Sequence, residues 1–575
     1  MTEELPDPLT VDHAVQLVDE AAVAADDDHD VSTNLRRSLS SWLEIEQANK
    51  QPGTAMWTVW AFEYHPEGSP TQRDHFKPWM IFGDGSANMP YLSELPDECL
   101  EWWSQVAERV NEPRAHARLE HLLFLRRHGN GGIRSRRAAE NYLAMAAAGR
   151  DIHAVLAAGI ALELARRTGH NDIAKVAVEL AASLTIDLLT EERPAPGVVL
   201  RLLDILYAEQ DVPYDVDNIL EQARAKYAGQ VHHEDAVIQL QIKRRKDQPD
   251  IVAGLWSEQV EIWITAAEAA EPIVRSVHLQ KAIEHARSSG DRSLIERATA
   301  RLQSVRLEDL GLTSFSVEIA LPHGQLEQML RPITDADDWR VALMHFVKLG
   351  PITGSHDYNR RLTDELAAQF PVSHMFPHTK LGGDNLPRFT VTTDDELKEY
   401  QLVTHEIQSL QLRATVVLEA LVRVIHKHEI PPLHELTEHF AKNPIVPPEL
   451  AAAIGRAFLR FWAGDAEGAV FTITPRIEAL TRNLVLASGA GIYRTQRQNT
   501  PGQYPGLRVL LDELLKREMD PSWHRFVLVL CAHVAGMNFR NELSHGFVDN
   551  ASDGIAAILL QAAAYLAALR SSAAQ

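Results

Sequence analysis

Along most of this chain apolar residues recur at three- and four-residue spacing, the period of a helix that buries one face. Near the start Val11, Ala14, Val15 and Val18 carry that pattern, and Asp26-Asp27-Asp28 breaks it with a solvated acidic run. A second helix is expected over 34–49, before Gln51-Pro52-Gly53. The apolar run from Met56 to Phe62 fits a strand or a buried helical turn equally well, because so short a run holds too few periods to decide. From 97 to 312 one amphipathic stretch follows another, divided by turn-forming clusters such as Gly129-Asn130-Gly131-Gly132 and Gly169-His170-Asn171. Ala-rich segments at 138–148, 152–168 and 173–190 suggest stacked helix hairpins, an α-solenoid-like array without a strict repeat length.

Beyond the array, 313–393 lacks periodicity and is rich in Pro, Gly and His. A long helix is expected over 394–428, stopped by Pro431-Pro432, with further helices over 433–441 and 448–463. The last segment offers helices over 475–487, 507–516, 522–536 and 555–569. Pro475 would sit in a first turn, where a missing N–H costs nothing. The expected fold is therefore all-α. It divides into a mixed, mostly helical module (1–130), the helical array (131–312), an irregular connection (313–393), a helical linker domain (394–463) and a bundle of four to five helices (464–575).

Composition adds limits. Hydrophobic residues make up 45% of the 575, enough to bury cores throughout. Cys99 and Cys531 are the only cysteines, which leaves no disulfide scaffold or thiolate zinc knuckle and suits a reducing compartment. The first thirty residues have neither a basic nor an apolar region of signal-peptide type, and 554–569 is too short to span a bilayer. A cytoplasmic protein without membrane contact is expected. The formal net charge of −23 argues against a polyanionic partner for the whole chain. From Phe471 onward, however, ten Lys and Arg stand against eight Asp and Glu, so the acidic excess lies upstream.

Candidate chemistry concentrates in Asn538-Phe539-Arg540-Asn541-Glu542-Leu543-Ser544-His545-Gly546-Phe547. Arg540 offers a planar, permanently charged clamp for phosphate. His545 offers the side chain whose ordinary pKa suits proton transfer at neutral pH. Asn541 can position either by its amide. Cleavage of RNA by its own 2′-hydroxyl needs a proton acceptor, a charge-stabilising donor and alignment, and no metal or other cofactor. A bare Arg and His near a helix end more often serve the last carbonyls and the helix dipole.

The surrounding pattern weighs against that plainer role. Arg540-Asn541 followed by His545-Gly546 resembles the motif of the HEPN superfamily, in which Arg and a polar residue precede His by a few positions. It is most similar to a bacterial family of uncharacterised domains with the signature Arg-Asn-x-x-x-His-Gly. In that family the bundle opens on Pro-x-x-Glu-x-x-x-Arg-Asn, here Pro475-x-x-Glu478-x-x-x-Arg482-Asn483. The resemblance covers the last 120 or so residues and, more weakly, a module around Tyr91 to Arg127 containing Asn111-Glu112-Pro113 and Ala117-Arg118-Leu119. It implies a metal-independent endoribonuclease acting as a homodimer, with Arg540 on the scissile phosphate, His545 as general base or acid and Asn541 positioning. Glu478, Arg482 and Asn538 would support the site. Phe547 stands where some HEPN toxins carry a tyrosine that an antitoxin modifies, so that control is not expected here.

The expected role is phage defence or stress response, with RNA as substrate and a protein partner sensed by the helical array. The rival expectation is a non-catalytic scaffold whose bundle serves dimerisation or ligand binding. Other candidates are weaker. His434 and His439 are five apart, which turns them about 140° from each other on a helix and spoils a zinc-protease pair. His374 and His378 flank Phe376-Pro377, a loop sequence. The basic run from Arg126 to Arg137 reads as a solvated turn before it reads as an RNA contact, and Trp57, Trp60, Trp102 and Trp103 read as core.

Overall fold

The structure, a computed structural model, describes residues 8–570 apart from 84, 211, 307–322, 371–377, 383, 385, 498–500, 518 and 549. It divides into two compact units, Met1–Leu302 and Gln303–Gln575. The fold is all-α. Among the described residues its only sheets are two antiparallel hairpins, Tyr64–Pro66 with Phe76–Pro78 and Thr379–Leu381 with Pro387–Thr390. No helix among them is long and apolar enough to cross a membrane.

In the first unit the run read as strand or helix is the helix Thr54–Trp60. Tertiary contacts decide it: Trp103 Nε1 donates to the Trp57 carbonyl at 2.7 Å and Trp102 Nε1 to Thr58 Oγ1 at 2.9 Å. Trp60, Trp102 and Trp103 are all core residues. The array follows, with Gly131–Ala148, Ile152–Thr168 and Asn171–Leu189 packed each on the next through alanine-rich faces. Small side chains on both partners let the backbones approach closely. Asn130 and Asp151 cap the first two helices, and Gly169, in the left-handed region, closes the second.

The main core of the second unit includes Phe346, Val417, Phe458, Ile477, Phe526 and Ile558. The sequence boundaries at 393/394 and 463/464 therefore fall inside a shared core. Two helix bounds also differ from expectation. Pro475 lies inside Ala466–Ala487 rather than at its start. That helix begins where the Asp465 carboxylate accepts the Gly468 N–H at 2.8 Å, a cap that sets the start nine residues before the proline. Residues 522–536 form not one helix but Pro521–Cys531 followed by a tight loop. The last helix, Asp553–Ala568, is buried almost throughout, packed on Ala466–Ala487 and on the long helix Asp394–Arg423. The segment expected to be irregular contributes the helices His323–Thr334, Trp339–Lys348 and His356–Gln369 as well as the second hairpin.

Candidate functional site

The loop after Pro521–Cys531 sets the position of the motif. The Met537 N–H returns to the Val529 carbonyl at 2.8 Å, folding the chain back on the helix it has just left. Gly536 passes so close that a Cβ there would lie within 3.0 Å of the Val529 carbonyl oxygen. From the hairpin, Lys380 Nζ donates to the Ala535 carbonyl at 3.1 Å. Burial lowers the Lys380 pKa, and the Glu542 charge partly offsets the shift. Asn538 then takes the left-handed conformation, φ 50°, which asparagine tolerates better than most residues, and launches the short helix Phe539–Ser544.

A chain of side-chain bonds runs from that turn. Asn541 Nδ2 donates to Asn538 Oδ1 at 2.8 Å, and Arg540 Nη1 donates to Asn541 Oδ1 at 2.9 Å. Arg540 Nη2 lies 3.2 Å from Glu478 Oε2 on Ala466–Ala487. Arg540, Glu478, Arg482 and Ser544 line one cleft of about 400 Å³ with Phe471, Thr474, Pro475, Ala479 and Leu543. Pro475 has no N–H to give, so the Phe471 carbonyl lacks its helical donor at this wall of the cleft. Arg482 lies over the Tyr504 ring at 5.3 Å.

His545 is placed differently. It follows the last turn, its N–H bonded to the Asn541 carbonyl at 3.0 Å, and its side chain is exposed. Five residues along a helix rotate it about 140° from Arg540, and it is not among the residues lining the cleft. Its ring lies 6.1 Å from Phe547, whose other neighbour is the Arg388 guanidinium at 5.1 Å from the ring centre. Arg388 also pairs with Asp384 at 2.9 Å and approaches Glu542 at 3.6 Å. The structure thus gathers Arg540, Asn541, Asn538, Glu478 and Arg482 into one place, and sets His545 on an adjoining surface with Phe547 and the hairpin.

A buried ionic cluster braces this region, and sequence reasoning missed it. Arg525 on Pro521–Cys531 holds Glu406 through bonds of 2.6 and 2.9 Å and Glu399 at 2.7 Å, both on Asp394–Arg423. His533 lies 3.1 Å from Glu399. Burial by itself would raise the Glu399 pKa, but the His533 hydrogen bond and the Arg525 charge hold it at about 2. Two features pointed to the cluster: an arginine inside the apolar run Trp523–Cys531, and two glutamates seven apart on one helix face.

The remaining candidates disperse. The basic run is largely neutralised: Arg134 binds buried Glu120 at 3.0 Å, Arg136 binds Asp172 at 2.6 Å, and Arg126 donates to the Ser93 and Leu95 carbonyls. His439 packs on Trp339, 5.3 Å between rings, and His378 on Tyr400 at 5.2 Å; His374 lies outside the described residues. Among the described residues no three His, Cys, Asp or Glu side chains are grouped so as to hold a metal ion. Compared with models of known families and with curated proteins, the chain matches none.

Proposed function

We propose that the second unit is a metal-independent endoribonuclease of HEPN type, and that the chain works as a homodimer pairing two copies of the motif. The observation that carries this reading is the held guanidinium of Arg540. Asn541 uses one of its five N–H groups and Glu478 holds it as an ion pair, leaving donors for a phosphate in the cleft. His545 is exposed and faces away from its own cleft, so the pairing of two copies has to bring a His545 to the phosphate at Arg540, where it takes the proton of a ribose 2′-hydroxyl. The 2′-oxygen attacks the adjacent phosphorus, Arg540 stabilises the charge that develops there, and the bond to the 5′-oxygen breaks as that oxygen takes the proton back from a His545 imidazolium. The products are a 2′,3′-cyclic phosphate and a 5′-hydroxyl end. In this reading the first unit docks a protein partner, and the setting is a cellular response to phage or stress.

The separation of His545 from the cleft supports a second reading, a non-catalytic bundle whose cleft binds an anionic ligand. Incubating the protein with RNA in EDTA, beside Arg540→Ala and His545→Ala, discriminates. Cyclic ends that both substitutions abolish support the nuclease. RNA that binds through Arg540 without being cut supports the scaffold.

A further inference from the structure

Away from the Arg540 cleft, the second unit holds a cavity of about 440 Å³ lined by the helices Trp339–Lys348 and Leu433–Ala441 and by the end of Asp553–Ala568. That volume falls within the roughly 300–1,000 Å³ of small-molecule sites. Its apolar lining is Leu343, Met344, Val347, Phe440 and Ala567, and no carboxylate lines it. Four cations do: Arg340, Lys348, Lys442 and Arg570. Arg340 is committed to Asp338 and Glu435. Lys348, Lys442 and Arg570 are exposed and have no ion pair among the described residues. In a chain of net charge −23, three unpaired cations around one apolar cavity are an arrangement that an anion would complete.

The interior excludes some ligands. The Asn443 amide donates to the Ala567 and Leu569 carbonyls at 2.8 and 2.7 Å, and its oxygen accepts the Ile445 N–H at 3.2 Å. Burial, then the Lys442 and Arg340 charges, pushes His439 down to about 4, so its ring is neutral at pH 7. Its Nδ1 is buried without a partner. A nucleobase or sugar would lose its water there and find too few bonds in return. An alkyl chain loses nothing, and the rim supplies donors for one charged head.

We propose that this cavity binds a soluble amphipathic anion, an unbranched alkyl chain ending in a carboxylate or phosphate. The same chemistry is carried by lipids of an anionic bilayer, so the test separates the two sources. The full chain is titrated calorimetrically with monomeric decanoate, with decylamine, and with phosphatidylglycerol vesicles. Decanoate binds saturably at one site and decylamine does not. The Lys348→Gln/Lys442→Gln/Arg570→Gln variant weakens decanoate by about tenfold or more, as does Met344→Glu, with thermal melting unchanged. Met344 is exposed, so a carboxylate there repels the head without disturbing the core. Absence of saturable decanoate binding, equal affinity for decylamine, unaltered affinity in both variants, or binding to vesicles alone overturns the proposal.

Discussion

Arg540 and Glu478 sit on different helices, 62 positions apart in sequence, and meet in an ion pair of 3.2 Å within one cleft. The pair orients the guanidinium and, in the nuclease reading, also places a negative charge where a phosphate would approach. Removing that charge while keeping the shape should therefore favour RNA. On a His545→Ala background, which in the nuclease reading prevents turnover, Glu478→Gln is expected to tighten RNA binding by about three- to tenfold, an effect that salt reduces. Fluorescence anisotropy against ionic strength checks it. Weaker binding in Glu478→Gln would mean that orientation of Arg540 matters more than repulsion by Glu478.

The Arg525 cluster predicts a stability effect with a built-in control. Glu406 is fully buried, and Arg525→Met leaves its carboxylate without a counter-charge. The expected loss is about 3–5 kcal/mol. Arg525→Met combined with Glu406→Leu should recover much of it, because two apolar side chains then replace two charges. Urea unfolding of the three variants measures both values. A double variant no more stable than Arg525→Met would show that the cluster is needed for reasons other than charge balance.

Acid should unlock the same cluster. The Glu399 pKa is held at about 2 in the folded chain, below the 4.5 ordinary for a glutamate. Its contribution to stability is therefore complete above pH 4.5 and is lost as pH falls from there towards 2. Unfolding midpoints recorded from pH 7 to pH 3 should fall more steeply in the wild type than in Glu399→Gln. Parallel curves would remove Glu399 from the account.

Gly536→Ala tests the loop that aims the motif. The added methyl meets the Val529 carbonyl and lies 3.1 Å from the His533 Cβ, and backbone atoms cannot step aside as a flexible side chain can. The expected destabilisation is about 1–3 kcal/mol, read as a lower melting temperature in calorimetry. An unchanged melting temperature would show that the loop has more freedom than its hydrogen bonds suggest.

The all-α class was legible from periodicity, and the Glu478 position from its place in the Pro475–Asn483 pattern. What the pattern could not give was the start of that helix. Proline is read as a first-turn residue, yet the Asp465 cap starts the helix earlier and tertiary packing carries it through Pro475. The hairpin beside Phe547 was hidden because its strands have three and four residues, with Gly382 directly after the first and Pro387 opening the second. The Arg525 cluster joins residues 119 and 126 positions apart, so local spacing could mark its members but not their pairing. The five-residue spacing of Arg540 and His545 turns them about 140° apart on a helix; what the motif did not disclose was that Phe539–Ser544 is helical.

That divergence makes chemistry at Arg540 and His545 the central question. The most direct measurement incubates the purified full chain with a labelled RNA in EDTA and maps the ends of any products, beside Arg540→Ala and His545→Ala. The nuclease reading predicts 2′,3′-cyclic phosphate and 5′-hydroxyl ends from the wild type, lowered by about a hundredfold or more in each variant. Cleavage undiminished in either variant, or RNA bound through Arg540 and left intact, contradicts it.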